Sequence, residues 1–190
     1  MPPAAGRRWD WETAAIVGSL PRGDVITRDG RYYPVRDAHA PAAVQRPRPP
    51  LTVAAHGPRG LRTVARHADG WNSLGGQPYS AEGDLTRRVT LAEAVAETRR
   101  LSELLGGFCA EEGRDPATIW RSVQAFYPVP DPFASLDAFD EYVGAYTEIG
   151  IDELIFYWPP LELFEERGPV PHEMQDRFER IAAERMAPHS

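Results

Sequence analysis

Apolar and polar positions along this chain change rhythm near residue 51. Before that point Trp9, Ala14, Ile16, Val17 and Leu20 form an imperfect helical stripe closed by Gly18 to Pro21, which predicts one short helix. Two β-prone runs, Val25 to Thr27 and Tyr32 to Val35, then flank Asp29-Gly30. That dipeptide tolerates the positive φ angles of a tight turn, so a small hairpin is predicted. Between residues 38 and 50, Pro41, Pro47, Pro49 and Pro50 remove amide donors and favour extended backbone, which marks a connector.

After it, short apolar runs alternate with longer amphipathic stretches. Leu51 to Ala55 reads as a buried strand, and Gly57-Pro58 opens a helix to about His67, since proline at the first helical position gives up an N–H that would be unpaired there anyway. Gly70 to Leu74 is a second strand. A polar, glycine-containing segment leads to Thr90, whose TLAE sequence spells a capping box with Glu93 for a long helix to about Glu112. Ile119 to Phe126 is a third strand, Ser135 caps a helix from Leu136 to about Ile149, Asp152 to Tyr157 is a fourth strand, and a last helix covers about Pro171 to Ala187. Strands alternating with helices predict a parallel sheet with βα crossovers, so the class is α/β. No GxGxxG turn follows the first strand, which argues against an open dinucleotide-binding sheet. A (β/α)₈ TIM-barrel type fits better, as a C-terminal half-barrel of about four βα units. The expectation is a single domain over 1–190: helix and hairpin at 8–37, connector at 38–50, and four βα units at 51–187.

Charge and composition narrow the chemistry. A formal charge of -7 over 190 residues opposes a nucleic-acid partner, which needs clustered basic residues. All 21 basic residues are arginine, so no Schiff-base lysine exists in the sequence. The single cysteine, Cys109, allows no intrachain disulfide, and no Cys or His spacing suits zinc. Metal is therefore not expected, with His39, His67, His172 and His189 scattered. Neither a signal peptide nor an apolar run long enough for a bilayer is evident, and a cytoplasmic setting is expected. Ser102 and Cys109 lie on no nucleophile elbow, and Glu162, Glu165 and Glu166 read as a solvated turn.

The turn Ala55-His56-Gly57, followed by a helix start, points backbone N–H groups and the positive end of a helix dipole at the end of a strand, an arrangement that suits a phosphate. Gly57 permits close approach of a ligand, and Arg59 adds a fork of donors for an anion. The alternative is an ordinary βα turn with Arg59 solvated. His56 is a weak candidate for proton transfer, its ordinary pKa lying near neutrality; a backbone-only role is the alternative.

The stretch RPPLTVAAHGPRGLRTVARHADGWNS resembles the luciferase-like monooxygenase family, with DGRYYPVRDA before it and YTEIGIDELIFYW after it also similar, over about residues 8–185. The resemblance implies a flavin- or F420-dependent oxidoreductase, with FMN or coenzyme F420 held by its phosphate near Ala55, His56, Gly57 and Arg59 and a small-molecule substrate at the strand ends. It also implies contacts from Trp71 and Asn72, and less firmly Ser73, to the cofactor ring, although a strand tryptophan is equally at home in the core. Phe156 to Pro160 would close the pocket or form an association surface. Only the second half of the family's barrel is matched. The expected partner is therefore another copy of the chain or an N-terminal half, unless the frame is truncated, and the alternative function is a non-catalytic flavin-binding or self-associating half-barrel.

Overall fold

A computed structural model describes residues 10–19, 23–31, 33–46, 48–76, 89–125, 131–158 and 169–186. In chain order the elements are α1 (Asp10–Ser19), β1 (Ile26–Arg28), β2 (Val35–Ala38), β3 (Thr52–Ala54), α2 (Pro58–His67), β4 (Gly70–Ser73), α3 (Leu91–Glu111), a 3₁₀ turn (Pro116–Thr118), β5 (Trp120–Ala125), α4 (Leu136–Thr147), β6 (Glu153–Phe156) and α5 (His172–Ile181) with a π-helical turn (Ala182–Met186). β1 and β2 pair antiparallel, and a four-stranded sheet runs β3-β4-β5-β6. The β3–β4 and β5–β6 pairs are parallel. This is the α/β arrangement expected, a parallel sheet of (β/α)₈-barrel type preceded by a small hairpin.

The chain divides into two compact units, residues 1–72 with 103–120 and residues 73–102 with 121–190. In the first, α2 presents Leu61, Thr63, Val64 and Ala65 as its buried stripe. Its opposite flank is tied to the end of α3 by Arg62 to Glu111 (2.9 Å) and Arg66 to Glu112 (2.7 Å), with the Arg62 guanidinium 4.2 Å above the Phe108 ring. Arg114 donates to the Ala65 carbonyl (3.2 Å), satisfying an acceptor in the last turn of α2.

The hairpin departs from its prediction. The second strand lies at Val35–Ala38, three residues beyond the expected start at Tyr32, and the connection is long instead of a two-residue turn. Gly30 is not among the positive-φ residues. The cause is Glu12 of α1, only 5% exposed, whose carboxylate accepts the backbone amides of Arg31 (3.2 Å) and Tyr33 (3.1 Å). Those bonds hold the loop against α1. Gly30 is needed for closeness: a Cβ there would stand 2.7 Å from the Tyr33 carbonyl oxygen and 3.0 Å from Glu12 Oε2.

In the second unit, local signals act as read. Thr90 and Glu93 exchange bonds, Glu93 Oε2 accepting the Thr90 amide (2.8 Å) and Thr90 Oγ1 accepting the Glu93 amide (3.3 Å). Ser135 Oγ accepts the Ala138 amide (3.0 Å) at the start of α4. Val123, Ala125, Tyr142, Tyr146 and Ile151 form one core cluster, and Phe133, Phe139 and Ile181 a second. Gly75 (φ +64) and Gly76 (φ +72) turn the chain after β4 in the left-handed region. Tyr146 Oη donates to the Gly75 carbonyl (2.8 Å) there. The polar segment at 77–88, Phe126, and Glu162, Glu165, Glu166 and His189 lie outside the described residues.

Candidate functional site

Six residues were singled out from sequence for a cofactor, and all belong to the first unit. Ala55 ends β3, buried at 4% exposure, and Gly60 sits against it: a Cβ on Gly60 would lie 3.0 Å from the Ala55 Cβ. That close approach seats the first turn of α2 directly behind the strand. Gly57 caps α2 with an extended backbone (φ -154) and no side-chain bond, while Pro58 takes the first helical position. No acidic residue occupies the first turn. A Cβ on Gly57 would meet no described atom within 4 Å, so open space borders the turn. Arg59 is exposed in that same turn. The donor set therefore suits an anion: a positive helix end without a competing carboxylate, and a guanidinium beside it.

His56 is half-buried between the strand and the helix start. Burial holds its imidazole below the ordinary 6.5, because the charged form loses hydration there. The neutral ring is the dominant form at neutral pH, able to donate from one nitrogen and accept at the other.

Trp71 and Asn72 part company. Register pairs Val53 with Trp71 and Ala54 with Asn72, and alternate strand residues point to opposite faces. Val53 and Ala55 share a face, the one on which Gly60 packs, so Trp71 lies on the helix side of the sheet. It is fully buried, and its indole N–H donates to the Ala55 carbonyl (2.9 Å). Trp71 thus has the packing role that the sequence left open beside ring contact, and it braces the turn from behind. Asn72 occupies the other face with Ala54, at 8% exposure. Its backbone carbonyl accepts the Ala55 amide (3.1 Å), which joins the two candidate strands at their C-terminal ends. Ser73 is fully buried in the second unit, its Oγ accepting the Gly75 amide (3.2 Å).

At the opposite ends of these strands lies a group that sequence reading missed. Asp69 Oδ2 accepts from Arg48 Nη1 and from the Leu51 amide (2.7 Å), while Leu51 O accepts the amides of Asp69 (2.8 Å) and Gly70 (3.1 Å). Burial pushes the Asp69 carboxyl up, yet the bonds from Arg48 and Leu51 outweigh it and the net pKa is lowered. Gly70 is required because Trp120 covers it; a Cβ would fall 2.3 Å from the indole ring. Within ADGWN, Asp and Gly therefore fasten the strand starts. Arg48, in the proline-rich connector, keeps its side chain only 12% exposed. A cavity of about 310 Å³ elsewhere in this unit is lined by Glu12, Ile16, Arg28, Asp29, Gly30 and Tyr33, none of them a candidate residue.

A parallel βα sheet whose strand ends carry an anion-receptive turn is the arrangement of a (β/α)₈-barrel ligand site. Residues 7–169 match the family described as luciferase-like monooxygenase, and the chain belongs to that family. It is 30% identical over 144 residues to the phthiodiolone/phenolphthiodiolone dimycocerosates ketoreductase of Mycobacterium kansasii, covering 74% of this chain and 35% of the relative. To the enzyme of the same name from Mycobacterium tuberculosis (strain H37Rv) it is 42% identical over 111 residues, 57% of this chain and 25% of the relative. The chain thus spans about a third or less of the curated relatives it matches. Among solved structures, the coenzyme F420-dependent tetrahydromethanopterin reductase of Methanopyrus kandleri superposes with a TM-score of 0.63 at 10% identity, over 94% of this chain and 62% of that one.

Proposed function

We propose that the chain is the cofactor-phosphate-binding part of a deazaflavin- or flavin-dependent oxidoreductase, with coenzyme F420 preferred over FMN and a ketone or its alcohol as substrate. The observation that carries the reading is the first turn of α2, which has no side-chain cap, no acidic residue and an exposed Arg59 beside open space at Gly57. Family membership, the ketoreductase names of the relatives and the F420-dependent reductase of like fold support it.

When bound, such a cofactor supplies a hydride to a carbonyl carbon or accepts one from an alcohol. The chain's own residues bind and orient. Amides of the first turn and the Arg59 fork meet the phosphate. His56, kept neutral by burial, stands beside the turn at the strand end. Asn72 adds an amide on the face away from α2, and Trp71 stiffens the turn through its bond to Ala55. A monooxygenase reaction lacks a supporting observation beyond the family's description.

β3 and β6 are the outermost strands of the sheet, and edge backbone groups need covering. A second copy or a further barrel half is the proposed partner, which the native mass in solution tests. The same edges favour a second reading, a self-associating flavin-binding protein without turnover.

Fluorescence titration of the purified chain with F420 and with FMN tests the assignment. Saturable binding is expected, weakened about tenfold or more in Arg59→Ala, the loss of charge-assisted bonds. Arg99→Ala, at an exposed position on α3, is expected to leave it unchanged. Failure of both cofactors to bind sinks the reading; binding without ketone-dependent reoxidation of the reduced cofactor leaves only the non-catalytic one.

A further inference from the structure

In the first unit, the bonds from the Arg31 and Tyr33 amides to the buried Glu12 carboxylate hold the loop after β1 against α1. Helix and loop together enclose the cavity of about 310 Å³. Among the described residues its walls are Glu12 and Ile16 of α1, Arg28 at the end of β1, and Asp29, Gly30 and Tyr33 of the loop. That volume falls at the lower end of small-molecule sites, which run to about 300–1,000 Å³. The walls are set before a ligand arrives, because Glu12 bonds the loop to the helix and Gly30 fits where a Cβ would stand 2.7 Å from the Tyr33 carbonyl oxygen. Glu12 is engaged by the loop amides, so the ionic groups that a ligand meets are Arg28 and Asp29, both exposed. Beside them stand the half-buried Ile16 and the ring of Tyr33, 44% exposed. One cation, one anion, an aliphatic surface and an aromatic one thus share a single preformed cavity.

We infer that this cavity binds a free α-amino acid with an apolar or aromatic side chain, its carboxylate on the Arg28 guanidinium, its ammonium on the Asp29 carboxylate and its side chain on Ile16 and the Tyr33 ring. A guanidinium meets a carboxylate through two parallel bonds, and an aromatic ring offers its face or edge to an apolar group. A ligand of one sign is disfavoured, since an anion drawn to Arg28 also meets Asp29 and a cation drawn to Asp29 also meets Arg28. A free amino acid carries both charges on one carbon, whereas each end of a peptide carries one; the consecutive Arg28 and Asp29 supply the matching pair. None of these walls belongs to the turn from Ala55 to Arg59, so the inference does not rest on the cofactor reading.

The test is a calorimetric titration of the chain with L-phenylalanine, phenylpropionate and phenethylamine, the last two lacking the ammonium and the carboxylate respectively, with the Gly30 amide followed by NMR. The wild type is expected to bind phenylalanine saturably, to shift the Gly30 amide as it does so, and to bind each analogue about fivefold or more weakly. Arg28→Gln is expected to weaken phenylalanine about fivefold and Asp29→Asn about threefold, with circular dichroism unchanged because both positions are exposed. Each substitution should also improve one analogue, Asp29→Asn the phenylpropionate and Arg28→Gln the phenethylamine, a reversal that a purely structural role would not produce. A wild type that takes up no phenylalanine overturns the inference. So does equal binding of all three ligands, the behaviour of an apolar cleft, or equal phenylalanine affinity in the wild type and both variants.

Discussion

His56 and Trp71 show how environment, more than residue type, sets a role. Burial lowers the His56 pKa below 6.5, so the folded chain takes up its proton at lower pH than the unfolded chain does. Its contribution to stability is accordingly complete above about pH 6.5 and declines as pH falls through 6.5 toward the depressed value. An NMR titration of the His56 ring is expected to give a midpoint below 6.5, with denatured chain near 6.5; a folded midpoint at or above 6.5 would contradict a desolvated site. Its position was legible because it follows an apolar run and precedes Gly-Pro. The face on which Trp71 points was not, since that depends on pairing Val53 with Trp71, a contact absent from any local window.

Elements were read best where their signals are local. The Thr90–Glu93 box and Ser135 fix two helix starts through bonds spanning three residues, Pro58 fixes a third through its locked φ, and the observed helices begin where those residues stand. The hairpin was read least well because Glu12, 19 and 21 positions from the amides it accepts, decides where its loop lies. The turn after β4 gives the sharpest test at this scale. Gly76 has φ +72, and a Cβ on it would lie 2.0 Å from the Ala94 carbonyl oxygen in α3. Gly76→Ala is expected to destabilise the chain by at least about 2 kcal/mol, from left-handed strain and a clash with backbone that cannot rotate away. Urea unfolding measures it. A midpoint unchanged from the wild type would show that this turn relaxes freely.

For the molecule as a whole, the alternation of strands and helices announced the βα plan, while the division into two compact units gave no composition signal, because it cuts through α3 between Ser102 and Glu103. Global stability should carry the mark of Asp69. Its pKa is lowered in the fold, so its contribution is present above the ordinary 3.8 and lost as pH falls through that value toward the depressed one. Asp69→Ala is expected to cost about 1–3 kcal/mol at pH 7, because it leaves the Leu51 amide without its acceptor and the Arg48 guanidinium without its counter-charge. The gap from wild type should narrow on acidification below about pH 4, which paired urea titrations at pH 7 and pH 3 would reveal. A gap of constant size would assign the loss to something other than the charge.

Asp152 repeats the Asp69 device: its carboxylate accepts the Arg121 amide (2.7 Å), and its own amide donates to the Arg121 carbonyl (2.8 Å). An aspartate just ahead of a strand thus clasps the backbone of the neighbouring strand, once in each unit. A parallel strand has no tight turn to set its phase, and a slip of one residue exchanges its two faces. For β4 that slip would pull the carboxylate from Leu51 and swing the Trp71 indole away from α2. The two aspartates act as alignment pins, each keeping its strand pair in phase from its own end and independently of the helix that joins the strands.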